Sequence, residues 1–108
     1  MDRTITADKV AAMLNDHTPM TLLDVRRTAD VEADPDSIPN ALWRDPSNVN
    51  DWVGELPKDR PLVVYCVRGG SVSNAVLDKL QEKGVSARFI EGGIAAWKAG
   101  GNKIVRRS

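Results

Sequence analysis

A single cysteine, Cys66, stands where an apolar run gives way to a glycine-rich turn. Residues 61–65 read PLVVY, and residues 66–73 read CVRGGSVS before a long helical pattern begins. A thiol in this position lies at the carboxyl end of a strand, beside loop N–H groups and a helix N-terminus, which all favour the thiolate. The pattern predicts a nucleophilic sulfur as the centre of the chemistry.

The turn after the cysteine can supply donors for the charge that such a sulfur makes or receives. Its two glycines tolerate positive φ, so successive N–H groups can converge on an anion, and the following helix adds its positive end. Arg68 can pair with an oxyanion, and Ser71 and Ser73 can cap the helix or donate to a substrate oxygen. The candidate substrate-binding residues are the six after the cysteine: Val67, Arg68, Gly69, Gly70, Ser71 and Val72.

The alternative interpretation is an inert cysteine that packs as a small buried hydrophobe. Two glycines and an arginine at a strand-to-helix junction favour the reactive interpretation. The turn lacks the lysine and spacing of a P-loop and the glycine spacing of a dinucleotide site, so nucleotide binding is not expected. With one cysteine and one histidine (His17, expected at the surface), we expect no metal site and no cofactor.

Composition narrows the class of protein further. The 108 residues suit one domain, and 15 basic residues balance 15 acidic ones, so no net field would attract nucleic acid or a membrane surface. No run approaches the roughly 18 apolar residues of a membrane span, and residues 1–4 do not resemble a secretion signal. The cytoplasm is therefore the expected location, with residues 102–108 expected as a solvated, mobile basic tail.

Short apolar runs alternate with helical patterns along the chain. Strands are predicted over 21–25, 61–65 and 87–90, with a short one after the turn at 37–43. Helices are predicted over 7–15, with Thr6 as the N-cap, and over 28–33. A brief helix is predicted after Asn50, which is expected to cap it, and it ends at Pro57. Two more helices are predicted, from about 72 to Gly84 and over 94–99 after the turn Gly92-Gly93.

This alternation predicts an α/β fold with parallel strands and helices on both faces, because parallel strands need crossover connections. Sites in such sheets form at the carboxyl ends of strands. Asp24 and Cys66 both fall at such ends, which is the first pointer to where the site lies.

Four segments resemble the rhodanese-like sulfurtransferase domains. Residues 22–26 match the family's LLDVR segment, and residues 37–41 are similar to its HIPGA segment. Residues 63–66 with their loop resemble its active-site strand, and residues 91–100 match its GG-x3-W-x2-G ending. The resemblance implies a central parallel five-stranded sheet and a single domain over residues 1–108. It also implies sulfur transfer in which Cys66 takes a sulfane sulfur from thiosulfate or a similar donor as a persulfide and passes it to cyanide or a thiol.

The resemblance also distinguishes this chain from neighbouring branches. A related phosphatase branch carries an arginine six positions after the cysteine, where this chain has Val72, so phosphatase or arsenate-reductase chemistry is disfavoured. Many members carry an arginine five positions after it, where Ser71 stands, so Arg68 is expected to supply the charge instead. Asn40 replaces the glycine of HIPGA and still suits a left-handed turn, while Ser37 replaces its histidine.

Some roles stay open at this point. Asp24 and Arg26 are expected to support the loop, with direct substrate contact by Arg26 as the alternative. Trp43, of the three tryptophans, is expected nearest the pocket mouth, and Arg44 and Arg60 are expected to be solvated. A noncatalytic binding module, or a persulfide relay to a thiol of a partner protein, remains an alternative to a thiosulfate sulfurtransferase.

Overall fold

The computed structural model describes residues 3–106; Met1, Asp2 and the last two residues of the predicted basic tail lie outside them. The strands are β1 (Thr4–Ile5), β2 (Thr21–Asp24), β3 (Asp36–Ser37), β4 (Leu42–Trp43), β5 (Leu62–Tyr65), β6 (Arg88–Ile90) and β7 (Val105–Arg106). The helices are α1 (Ala7–Asn15), α2 (Thr28–Ala33), α3 (Val49–Trp52), α4 (Ser71–Glu82) and α5 (Gly93–Ala99). No helix within residues 3–106 is long and apolar enough to cross a membrane.

Five strands form one parallel sheet in the order β1-β6-β5-β2-β4, which confirms the expected sheet. β5 lies at its centre, and all four of its residues are buried. The edge strand β1, which the residue pattern alone does not indicate, pairs with β6. β3 and β7 form a separate antiparallel pair, so Val105 and Arg106 are exposed strand residues and differ from the expected mobile tail.

Helices cover both faces of the sheet, as predicted, because the strand residues alternate between two apolar cores. Leu62 and Val64 face one core, whose helical members come from α3 and α4: Val49, Trp52, Val76, Leu77 and Leu80. Val63 and Tyr65 face the other, whose helical members come from α1 and α5: Val10, Ile94 and Trp97. The central strand is thereby fixed from both sides, and so is the point where it ends.

The helix boundaries follow their caps. Thr6 accepts a hydrogen bond from the amide nitrogen of Lys9 at 3.1 Å, which confirms the predicted start of α1. Gly84 has φ +75° just beyond α4, as expected of a residue that ends a helix. The predicted cap at Asn50 is wrong, since Asn50 lies inside α3. The chain becomes helical earlier, because Asp45 caps a 3-10 turn that precedes α3. The carboxylate of Asp45 accepts a hydrogen bond from the amide nitrogen of Ser47 at 2.9 Å.

Candidate active site

Cys66 follows β5 directly and is 4% exposed. The neighbouring strand β2 ends level with it, since Asp24 is in register with Tyr65, and the amide nitrogen of Val25 donates to the carbonyl oxygen of Tyr65 at 2.9 Å. The two strand ends that the sequence singled out therefore lie side by side at the same edge of the sheet.

The cysteine loop, residues 66–70, is held by its carbonyl groups. The amide nitrogen of Ile94 donates to the carbonyl oxygen of Cys66 at 2.9 Å, and that of Ala95 donates to the carbonyl oxygen of Val67 at 3.1 Å. In a trans peptide the N–H points opposite to the C=O, and residues 3–106 contain no cis peptide bond. The N–H groups of Val67 and Arg68 therefore point away from α5.

The amide groups of the cysteine loop form a set of donors. Within residues 3–106, the N–H groups of residues 67–70 donate to no protein oxygen. Gly69 has φ +68°, while Gly70 has φ −105°, so the expected left-handed conformation holds for Gly69 only. Gly70 precedes the 12-residue helix α4 and gives it no side-chain cap. Loop amides and a helix N-terminus together favour a negative charge at this place.

Glycines make the contact between the cysteine loop and α5 close enough for those hydrogen bonds. A Cβ on Gly69 would lie 2.8 Å from the amide nitrogen of Gly92 and 2.9 Å from the carbonyl oxygen of Ile90. A Cβ on Gly93, whose φ is +61°, would collide with the carbonyl oxygens of Cys66 and Val67. The turn at residues 92–93 was predicted from sequence, but the close packing of its glycines against the cysteine loop was not.

Asp24 and Arg26 form a buried ion pair below the cysteine loop. Nη2 of Arg26 donates to Oδ2 of Asp24 at 2.8 Å, and its Nε donates to both carboxylate oxygens at 3.0 and 3.1 Å. Burial opposes the charge of Arg26, but the hydrogen bond and charge of Asp24 more than offset it, so the pKa of Arg26 is raised. Nη1 of Arg26 donates to the carbonyl oxygen of Asp34, and Nη2 also donates to that of Asp36.

The geometry of Arg26 decides between its two expected roles. Arg26 is 1% exposed, and its guanidinium also lies 6.0 Å from the ring centroid of Tyr65, the residue before the cysteine. The alternative of direct substrate contact is wrong for this structure, because the buried guanidinium donates to Asp24 and to the carbonyl oxygens of Asp34 and Asp36. The ion pair joins the ends of β2 and β5 to the segment of residues 34–36.

The other predicted loop residues differ in exposure. Arg68 is exposed and makes no ion pair within residues 3–106, Ser71 is exposed at the start of α4, and Val67 and Val72 are half-buried. The expectation that Ser73 caps the helix or contacts substrate is wrong: Ser73 is fully buried on the inner side of α4, and its hydroxyl has no hydrogen-bond partner among the described residues.

A cavity of about 390 Å³ lies at the start of α4, where Ser71 follows the cysteine loop, and Cys66 itself does not line it. Its wall consists of Arg27, Pro46, Ser47, Ser71, Val72, Ala75 and Val76. Arg27 was not among the residues predicted from sequence, although its place three residues after β2, at the same sheet edge as Cys66, was a usable signal. Nothing in the residue pattern pointed to Pro46 and Ser47.

The remaining candidates lie elsewhere. Trp43 does not line this cavity, and its indole N–H donates to the carbonyl oxygen of Arg26 at 3.0 Å. His17 is exposed after α1, and Arg60 is exposed and paired with Asp59. Arg44 is half-buried rather than solvated, and it donates to the carbonyl oxygen of Trp43.

Among residues 3–106, no three His, Cys, Asp or Glu side chains come together to hold a metal ion.

The sequence is similar to a known protein family over most of its length. The family model of the Rhodanese-like domain matches residues 6–100. A sulfurtransferase of Allochromatium vinosum is 31% identical over 102 residues, covering 94% of this chain and 92% of that protein. A tRNA sulfurtransferase of Desulfurococcus amylolyticus is 33% identical over 79 residues, which is 73% of this chain but only 15% of that much longer protein.

Solved structures agree with this similarity. A full-length protein from Lactobacillus plantarum superposes with a TM-score of 0.85 at 26% identity, covering 96% of this chain and 88% of the other. A rhodanese-like domain protein from Staphylococcus aureus superposes with a TM-score of 0.81 at 28% identity over the full length of both chains. This chain and these proteins thus share one overall fold.

Proposed function

The chain belongs to the rhodanese-like domain family, and on this premise we propose that it is a sulfurtransferase that carries sulfur as a persulfide on Cys66. The observation that supports this most directly is the set of loop amides beyond Cys66, whose N–H groups have no protein acceptor among the described residues. Such donors stabilise a charged sulfur at the end of β5 without a proton-transferring side chain.

The first half-reaction loads the cysteine. The Cys66 thiolate attacks the outer sulfur of thiosulfate, a new S–S bond forms, and the bond between the two sulfurs of thiosulfate breaks. Its electron pair leaves with sulfite. A thiolate and a dianion give a persulfide anion and a dianion, so charge balances and no external oxidant or reductant is needed.

The second half-reaction unloads the cysteine. A nucleophilic acceptor such as cyanide attacks the outer sulfur of the persulfide, and the thiolate of Cys66 leaves with the electron pair of the broken S–S bond. Thiocyanate and the original thiolate are the products. A thiol acceptor, on a small molecule or on a partner protein, would receive the sulfur in the same way and become a persulfide itself.

The site suits this chemistry better than acid–base hydrolysis. The chain's one histidine, His17, is exposed after α1, and no step above requires a base. The position six after the cysteine is Val72, which offers no bidentate grip on phosphate. A noncatalytic binding module is the rival function. The presence of Cys66 beside loop amides that have no protein acceptor among the described residues argues against it.

Intact-mass measurement tests the proposal. After incubation with thiosulfate, the wild-type protein should gain the mass of one sulfur atom, and cyanide or dithiothreitol should remove it. Cys66→Ser, the matched control, should gain nothing. If neither thiosulfate nor an aromatic thiosulfonate adds sulfur to folded wild-type protein, the transferase is overturned in favour of a binding module.

A further inference from the structure

A second cavity lies at the edge of the sheet opposite to the end of β5 that carries Cys66. It has a volume of about 510 Å³, and residues of α1 and of the starts of β5 and β6 line it. Leu62, the first residue of β5, lies four residues before Cys66, which at ~3.3 Å per residue separates the two by about 13 Å. This space, the amino-edge cavity, shares no lining residue with the cysteine loop or with the cavity at the start of α4.

Most of the wall of the amino-edge cavity is apolar. Ile5 and Val63 also belong to the core between the sheet and α1, so the cavity adjoins that core. A volume of about 510 Å³ equals roughly seventeen water molecules at ~30 Å³ each, and it falls within the range of small organic ligand sites. A ligand that fills this space therefore needs an apolar body. The apolar lining residues are Ile5, Met13, Pro61, Leu62, Val63 and Ala87.

Two cations stand in the same wall. Arg88 is in register with Val63 of the neighbouring strand, and residues paired in this way point to the same face of a sheet, so Arg88 projects from the face that α1 covers. Lys9 lies four residues before Met13 on α1, and residues with this spacing share one side of a helix. The strand and the helix thus direct a guanidinium and an ammonium group to one apolar space.

The charges of these two cations are not neutralised by an acid among the described residues. Of residues 3–106, no Asp or Glu lines the amino-edge cavity, and neither Lys9 nor Arg88 makes an ion pair there. Asp59, which precedes β5, is paired with Arg60 at 3.1 Å. The cavity therefore combines apolar surface with unpaired positive charge, and an organic anion with an apolar body complements both.

We propose that the amino-edge cavity binds a small organic anion of the medium-chain carboxylate class. The carboxylate contacts Arg88, which can donate two parallel hydrogen bonds to it, and Lys9 supplies a second positive charge. The aliphatic chain packs against Met13 and Val63, where its burial removes apolar surface from water. This ligand site lies apart from Cys66 and does not depend on the chemistry of the cysteine.

A titration with octanoate tests the ligand class. Octanoate is added to the wild-type protein while backbone amide signals are followed by NMR. The proposal requires saturable shifts at Met13, Val63 and Ala87, and at least tenfold tighter binding of octanoate than of butyrate, which lacks four methylene groups. Octan-1-ol, which has the same length and no charge, should bind at least fivefold more weakly than octanoate.

Three outcomes of this titration overturn the proposal. Absent shifts, or shifts confined to the cysteine loop, remove the site. Equal affinity for butyrate and octanoate shows that the apolar wall contributes nothing, and equal affinity for octan-1-ol shows the same of the cations. Tighter binding of octyl phosphate than of octanoate overturns the carboxylate class.

Charge variants test the two cations. Lys9→Ala and Arg88→Ala should each bind octanoate at least threefold more weakly. Lys79→Ala, the matched control, removes an exposed lysine of α4 that does not line the cavity and should leave the affinity unchanged. The double variant Lys9→Glu/Arg88→Glu should lose octanoate binding and bind octylammonium instead. Both side chains are exposed, so the double variant should fold, and its thermal unfolding verifies this. Unchanged octanoate affinity in the folded double variant overturns the proposal.

Discussion

The carbonyl oxygen of Cys66 accepts a hydrogen bond from the amide nitrogen of Ile94 at 2.9 Å, so the backbone of the cysteine loop is fastened to α5. Gly93 lies against this bond, with φ +61° and no room for a Cβ beside the carbonyl oxygens of Cys66 and Val67. Gly93→Ala should therefore lower the free energy of unfolding by about 2–4 kcal/mol through left-handed strain and forced separation. Urea unfolding measures this loss, and sulfur loading of Cys66 should fall in the variant that still folds.

Gly84→Ala separates the two causes. Gly84 also has positive φ, at +75°, but a Cβ there would meet no atom within 4 Å. Its cost should be only the left-handed strain, about 1–2 kcal/mol, with normal sulfur loading. Equal losses in the two variants would show that the contact with the cysteine loop adds nothing.

Removing one partner of the buried ion pair should destabilise the fold strongly. Arg26→Met leaves the carboxylate of Asp24, which is 0% exposed, without its main counter-charge. We expect a loss of about 3–5 kcal/mol in the free energy of unfolding. The double variant Asp24→Leu/Arg26→Met should lose less than the sum of the two single variants. A loss under about 1 kcal/mol in Arg26→Met would contradict a structural role for the pair.

Arg68→Ala should weaken the use of anionic donors without harming the fold. Arg68 is exposed in the cysteine loop and has no ion pair to lose within residues 3–106. An exposed charge near an anion contributes about 1 kcal/mol, so KM for thiosulfate should rise about fivefold. Steady-state kinetics measure the change, and Arg68→Lys should recover part of it. Unchanged kinetics would leave Arg68 without a part in donor binding.

The link between α5 and the segment of residues 34–36 should depend on pH. Nζ of Lys98 donates to Oδ2 of Asp34 at 2.6 Å, which lowers the pKa of Asp34 and raises that of Lys98. The contribution of Asp34 is thus present above its ordinary pKa of 3.8 and is lost as pH falls through the lower folded-state value. That of Lys98 is present below 10.5 and is lost as pH rises through the higher folded-state value.

Thermal unfolding of Lys98→Met across the pH range checks this dependence. Both side chains are about a third exposed or more, so solvent screening limits the difference from wild type to at most ~1 kcal/mol at neutral pH. The difference should vanish toward both extremes of pH. Lys79→Met, an exposed lysine of α4 without an ion pair among the described residues, should show no such pattern.

The parts of the fold that could be predicted are those fixed by local sequence. Thr6 caps α1 through its own side chain. β5 is a run of apolar residues, and such a run indicates a strand that is buried on both faces. β1 was missed because two residues carry no periodic signal, and it exists only through pairing with β6. The cap at Asp45 was missed for a related reason, since Asn50 offers an equally good capping side chain in sequence.

The candidate site was predictable only in part. Cys66 was singled out as the lone cysteine before a glycine-rich turn, and its position beside Asp24 was predicted because strand ends in a parallel sheet meet at one edge. Whether Ser73 is buried depends on which side of α4 faces the sheet, and the residue type serine does not indicate that side. Arg27 and Pro46 come together across the cavity wall through tertiary packing alone, so no local pattern links them.

The hydrogen bonds from Ile94 and Ala95 to the cysteine loop also set an order of events. Ile94 stands 28 residues after Cys66 in the chain (94 − 66 = 28), so these bonds close a long loop and cannot precede the docking of α5. A growing chain completes β5 and its cysteine before the segment that orients the amides is available. The conformation of the cysteine loop therefore depends on a segment that lies far along the chain, and a chain without a docked α5 lacks these two hydrogen bonds.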